Sequence, residues 1–250
     1  NLNDASHKIM TSKTFDNATS CSSENSIIVL ESVYEELIKS LEEEGGSLLD
    51  IQEKKILQQG MWSENGIINR DIIAKKSNEI ATLVGLKGKH LSSKFLMVEE
   101  QNVGLDYPFS MEKLSPVLAV YKAKDFSHAV EIATLILKNQ GKGHSCGIHS
   151  QNEDNIERLG MELPVCRVIV NQAHCFATGG NFDNGLPFSL SMGCGTWGNN
   201  VTDENLNYKH YLNITKIVKT IEPDEPSEKD IFLDYWEKYS LKSSTVTKLV

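Results

Sequence analysis

Apolar residues fall along this chain in two alternating rhythms. Short continuous runs read as buried strands: residues 27–30 (Ile-Ile-Val-Leu), 94–99, 116–121, 145–149 and 166–170. Between them lie stretches with apolar residues three or four apart, the spacing of a helix with one buried face. Leu2, Ala5, Ile9 and Met10 predict a helix over 1–10, and Val33, Leu37, Ile38 and Leu41 predict a second with an acidic outer face. Ser32-Val33-Tyr34-Glu35 has the form of a capping box for that helix, and Gly45-Gly46 stops it. Residues 50–59 and 71–84 are two further amphipathic helices, separated by a turn at Asn65-Gly66. Asp125 caps a helix to about Asn139, with Phe126, Val130, Ala133 and Leu137 inward, and a short helix is expected over 153–159.

Short apolar strands alternating with helices imply an α/β fold, a mostly parallel sheet covered on both faces. The rhythm is lost over 172–198, where glycines and small polar residues suit a loop lining a site. Residues 208–219 alternate like a strand with few local partners, an edge or exchange element. Beyond 222 the chain is acidic and interrupted by proline, with a last aromatic helix expected over 231–239.

Composition narrows the function more than the fold. With 250 residues the chain can bury the core of one large domain or two small ones. A net charge of -9 offers no basic footprint for nucleic acid, and no apolar run has the length of a membrane span. The five cysteines (Cys21, Cys146, Cys166, Cys175, Cys194) are odd in number and include no CxxC. Neither a disulfide framework nor a zinc finger is indicated, and a reducing cytoplasm fits best. The first residue is Asn1, and residues 2–10 read as the middle of a helix, so a piece with its missing part upstream is expected.

Cys21 stands apart from the other four. It sits in a run of small polar residues, with no bulky neighbour for four positions before it or five after it, just ahead of the strand 27–30. A reachable thiol on a loop anchored to rigid elements has what a nucleophile needs, and the alternative is a plain loop cysteine.

Three stretches resemble one family, the CoA-acylating aldehyde dehydrogenases. Ser12-Lys13-Thr14-Phe15-Asp16-Asn17 through Cys21 and Glu24 is similar to the family's nucleophile segment. Glu112-Lys113-Leu114-Ser115-Pro116-Val117 is similar to the segment that touches the nicotinamide ribose. Leu190 to Gly198, followed by Lys209-His210 and Leu212-Asn213-Ile214, resembles the C-terminal signature, and Gly143-His144 matches a pair of the acylating branch. Within the family, Asn17 to Asn25 together with Asn171-Gln172-Ala173-His174-Cys175-Phe176 most resembles the acylating sulfoacetaldehyde dehydrogenases.

The resemblance implies a three-layer αβα catalytic domain over 1–206, then an oligomerisation strand and tail over 207–250. It implies as well a dinucleotide-binding domain expected largely upstream of this chain; Gly85 to Gly88 is too short for a dinucleotide loop. It implies oxidation of an aldehyde to its acyl-CoA, with NAD or NADP as cofactor, coenzyme A as co-substrate and a homo-oligomer as the working form. Sulfoacetaldehyde is the first candidate; acetaldehyde and succinate semialdehyde are the alternatives.

Cys21 would be the nucleophile, with backbone N–H groups around it as oxyanion donors. His144 would help deprotonate the CoA thiol, or else simply hold a turn. Glu112 would bind the ribose. Asn17 would bind substrate, and His174 (protonated, or as a neutral donor) and Thr178 would hold its sulfonate or carboxylate. Glu24 reads as capping or solvating the loop rather than as a base. Arg167 reads as a surface-pairing residue, Trp197 as a core anchor, and Cys166, Cys175 and Cys194 as packing; no metal site is expected. Two other classes are open: a cysteine hydrolase with Cys21 and His144 as dyad, and a non-catalytic assembly module.

Overall fold

The computed structural model describes residues 1–240. Four parallel strands form the main sheet in the order β1-β4-β3-β2: β1 (Ser26–Leu30), β4 (Val117–Ala123), β3 (Phe95–Glu99) and β2 (Gly46–Leu48). Alternate residues of the central strands point to opposite faces, and both faces are buried. On one face Phe95, Met97, Leu118 and Val120 pack against Ile9 of α1 (Leu2–Thr14) and Leu37, Ile38 and Leu41 of α2 (Tyr34–Glu43). On the other, Leu96, Val98, Ala119 and Tyr121 meet Leu57 and Met61 of α3 (Ile51–Met61) and Ile80 of α4 (Ser77–Val84), with Ile132 of α5 (Phe126–Asn139). This is the expected three-layer arrangement.

A second, two-stranded parallel sheet, β5 (Cys146–Ile148) with β6 (Val168–Val170), is separate from the first. A small core of Val130 and Leu137 from α5 with Leu159 from α6 (Glu153–Glu162) supports it. So α5 packs toward both sheets, where the apolar runs had been read as one.

Local chemistry explains most boundaries. Asp50 caps α3 in a reciprocal box with Glu53, and the Asp125 carboxylate accepts the His128 N–H at the start of α5. The expected box at Ser32 does not form. Residues Glu31–Val33 make a 3-10 turn, and α2 begins at Tyr34, which is buried against the sheet with its hydroxyl donating to Glu99. Tertiary packing of the tyrosine sets the start. The helix expected over 71–84 is two pieces, Arg70–Ile72 and α4, because Ala74 between them takes a left-handed backbone (φ 62).

The described chain separates into two units, Asn1–Tyr211 and one beginning at Leu212. The strand expected over 208–219 is absent: Tyr208–Tyr211 is a 3-10 turn, and residues 212–221 have no regular structure and lie exposed. An isolated extended segment has no ladder to satisfy its backbone. The aromatic helix exists as α8 (Glu228–Lys238), capped by Ser227 with Asp230. Among the described residues no helix is long and apolar enough to cross a membrane.

Candidate active site

Cys21 sits between the end of α1 and the start of β1, on a backbone held in an unusual shape. Asp16, Asn17 and Ala18 all have positive φ (48, 52 and 60). Non-glycine residues rarely adopt such angles unless their surroundings impose them. Here Ala18 is buried, the Thr19 hydroxyl bonds the Asp16 carboxylate at 2.6 Å, and Asn17 Nδ2 donates to the Ala74 carbonyl at 3.0 Å. The left-handed Ala74 also donates its N–H to Leu114 O at 3.1 Å, tying the nucleophile loop to the loop that carries Glu112. Asn25 adds a second tie, its side-chain oxygen accepting the Lys113 N–H at 3.1 Å. Cys21 itself is exposed, and no group among the described residues accepts from its N–H.

Across from it stands His144, whose Nε2 lies 3.2 Å from the Cys21 Sγ. Gly143 makes that placement possible. Its φ is +85, and a Cβ there would lie 2.1 Å from the Cys194 carbonyl oxygen, so only glycine lets the glycine-rich segment pass. Arg167, just before β6, fixes the same junction. Its guanidinium donates to the carbonyls of His144 (3.0 Å), Gly193 (2.9 Å) and Asp203 (3.2 Å), and it is buried, not paired at the surface as expected. Burial and the Arg167 charge hold the His144 imidazole below its ordinary value, so it is neutral and able to accept a proton at neutral pH.

Behind His144 the polar chain continues. His144 Nδ1 is 2.7 Å from Ser145 Oγ, which is 2.8 Å from His174 Nε2. His174, on the single turn α7 (His174–Ala177), is buried, and burial pushes its imidazole down to about 3. The protonated His174 imagined from sequence therefore does not exist near neutral pH. Thr178 is fully buried with its hydroxyl on the His174 carbonyl, and Asn17 spends its amide on Ala74. All three help brace the site: the single Thr178 hydroxyl hydrogen is spent there, whereas the second amide hydrogen of Asn17 and the ring Nδ1 of His174 have no partner among the described residues. Glu112 is exposed in the loop before β4, its carboxylate without a hydrogen-bond partner among the described residues.

Glu24 neither caps nor faces water. It lies mostly buried, and burial pushes its carboxyl up to about 7, against the opposing pull of Lys13. Lys13 is 1% exposed, and burial brings its ammonium down to about 8. Lys113, fully buried, donates to the Phe109 and Met111 carbonyls at 2.7 and 2.8 Å. Neither lysine was singled out as a buried group from sequence. A signal existed for Lys13, which continues the four-residue spacing of the buried Ala5 and Ile9 along α1. Ser145 carried none beyond its place after His144. Trp197 is exposed rather than anchoring a core, while Cys146, Cys166, Cys175 and Cys194 are half-buried. Among the described residues no cluster of three or more His, Cys, Asp or Glu is arranged to hold a metal.

No protein-family model matches the chain. Curated proteins do. The acylating sulfoacetaldehyde dehydrogenase of Cupriavidus necator is 52% identical over 238 residues, 95% of this chain and 48% of that protein. The sulfoacetaldehyde dehydrogenase of an Acholeplasma species is 42% identical over 246 residues, covering 97% and 50%. A crystal structure of an acetylating aldehyde dehydrogenase from Geobacillus thermoglucosidasius superposes with a TM-score of 0.83 at 36% identity, covering 91% of this chain and 50% of that one. The chain spans about half the length of the curated relatives it matches.

Proposed function

We propose that this chain, related in sequence and fold to the acylating aldehyde dehydrogenases over nearly all its length, carries the acyl-transfer chemistry of a CoA-acylating aldehyde dehydrogenase. The observation that carries the reading is the exposed Cys21 thiol facing the neutral His144 imidazole at 3.2 Å. Sulfoacetaldehyde is the substrate proposed first, from the identity to the Cupriavidus protein; acetaldehyde and succinate semialdehyde are the other candidates.

His144 Nε2 takes the Cys21 proton, and the thiolate attacks the aldehyde carbon. The C–S bond forms and the carbonyl oxygen becomes an oxyanion, for which the unengaged Cys21 N–H is a donor. A nicotinamide nucleotide, NAD or NADP, would when bound supply the acceptor for hydride from that carbon, and Cys21 would then hold the acyl group as a thioester. The open carboxylate of Glu112, on a loop braced to the nucleophile loop, fits as the acceptor for ribose hydroxyls. After His144 has released its first proton to solvent it takes that of the CoA thiol. The CoA sulfur then attacks the thioester and expels the Cys21 thiolate. Glu24 has no base role in this scheme, since a thiol and not water is activated.

Segment 207–250 we assign to self-association of a homo-oligomer. Leu212, Ile214, Ile217 and Val218 are exposed in the second unit, an arrangement suited to pairing with another copy. The absence of a basic footprint and five free cysteines fit a cytoplasmic protein acting on small molecules.

The half-reaction that needs no nicotinamide tests the reading: acyl transfer from an acyl-CoA to Cys21 with release of CoA. Incubation with sulfoacetyl-, acetyl- and succinyl-CoA is expected to place a hydroxylamine-labile acyl group on Cys21, read by peptide mass spectrometry. Acylation of other cysteines but not Cys21 would overturn it. Hydrolysis of simple esters at rates matching acyl transfer would favour the hydrolase instead.

A further inference from the structure

We propose that Ser145 and His174 are positioning residues that stabilise the imidazolium formed when His144 takes the Cys21 proton, by giving its Nδ1–H a relay of acceptors; this rests on the Cys21–His144 pairing proposed above.

The contacts run in one line: Cys21 Sγ to His144 Nε2, 3.2 Å; His144 Nδ1 to Ser145 Oγ, 2.7 Å; Ser145 Oγ to His174 Nε2, 2.8 Å. Once Nε2 has accepted the thiol proton, both ring nitrogens of His144 carry hydrogen. Nδ1–H then needs an acceptor, and the Ser145 oxygen is the one beside it. That hydroxyl has a single hydrogen, which must point away from His144, and the His174 Nε2 lone pair receives it. No other direction of the chain is compatible with a charged His144. The last acceptor works only while it is uncharged, and a buried ring with no carboxylate partner stays so. His174 is itself held in place: α1 anchors α7 through the Ser12 hydroxyl, which accepts the Cys175 N–H at 2.8 Å, and Gly147 leaves room for the ring, since a Cβ there would lie 2.8 Å from Nδ1. A base oriented by a third group is a general requirement of nucleophile–base pairs.

The titratable and charged groups facing the pair are Cys21 from the nucleophile loop, Arg167 just before β6, His149 just after β5, and Glu24, whose carboxyl lies toward the His174 backbone N–H. None of them supplies an acceptor to His144 Nδ1.

The test is the rate of Cys21 alkylation by iodoacetamide against pH, read peptide by peptide. Ser145→Ala and His174→Leu are expected to slow it about tenfold near neutral pH, the worth of one lost hydrogen bond to a charged group, and to converge with the parent above about pH 10, where the thiol ionises unaided. Ser145→Thr keeps the hydroxyl and His174→Gln keeps an acceptor oxygen, and both are expected to restore the parent profile. His144→Ala is expected to show the same loss, with no further loss when Ser145→Ala is added. An unchanged profile in Ser145→Ala and His174→Leu beside a clear loss in His144→Ala would overturn the relay and leave the pair standing. Equal slowing at every pH would also overturn it, as the mark of a merely structural role. An unchanged His144→Ala profile would instead remove the base on which the relay depends.

Discussion

His144 Nε2 and Cys21 Sγ meet at 3.2 Å although 123 residues separate them in the chain. The strained loop after α1 brings one and the Gly143 turn before β5 brings the other.

The first consequence is an order of reactivity. Thiol reactivity follows access and thiolate character. Cys21 is exposed, whereas burial pushes the Cys146 thiol up to about 11 and raises Cys166 and Cys175 as well. Under limiting iodoacetamide at neutral pH, Cys21 is expected to be labelled first of these four. Faster labelling of Cys146 or Cys175 would contradict the exposure assigned to the nucleophile loop.

The acid limit of acyl transfer should lie below the ordinary histidine range. Burial and Arg167 depress His144, so its base form persists below pH 6.5 and is lost only as acid protonates the ring. Acylation of Cys21 from acetyl-CoA is expected to hold steady from neutral pH to below that value, then fall. Arg167→Lys, which keeps the charge, should leave the limb in place; Arg167→Leu should move it toward neutrality.

Arg167→Leu should also be costly. It strips donors from the carbonyls of His144, Gly193 and Asp203, and a buried unsatisfied acceptor costs roughly 1–3 kcal/mol. A loss of about 3 kcal/mol or more is expected in urea unfolding. Gly143→Ala should be comparably damaging, because the left-handed backbone and the Cys194 carbonyl both oppose a Cβ. Substitution at Gly66, also left-handed but with open space around it, should cost only about 1 kcal/mol and gives the comparison.

Glu24 and Lys13 should leave a mark on stability against pH. A carboxyl raised from 4.5 to about 7 keeps its proton longer in the folded state, so its contribution is full below pH 4.5 and is lost as pH rises to about 7. Lys13, lowered from 10.5 to about 8, loses its proton earlier when folded, so stability rises again between those values. Urea midpoints of Glu24→Gln should lack the first decline, and those of Lys13→Met the later rise. A Glu24→Gln curve parallel to the parent between pH 4.5 and 7 would place that carboxylate in water.

What the sequence determined by itself was whatever depends on near neighbours. Apolar period and capping side chains marked β1, β3, β4, α3 and α5, because burial face and helix start are written within a few residues. Cys21 stood out for the same reason, its small polar neighbours being adjacent in the chain. Tertiary structure decided everything that turns on groups far apart. Ala74 splits a helix because two loops claim its backbone, and α2 starts at Tyr34 because that ring packs on the sheet. Arg167, Lys13 and Lys113 go inside because carbonyls or buried partners wait there, and a charged side chain is written in sequence as if it faced water. The alignment of Cys21, His144, Ser145 and His174 belongs to the same class. Hydrogen-bond distance is a property of the folded backbone, and no local pattern carries it.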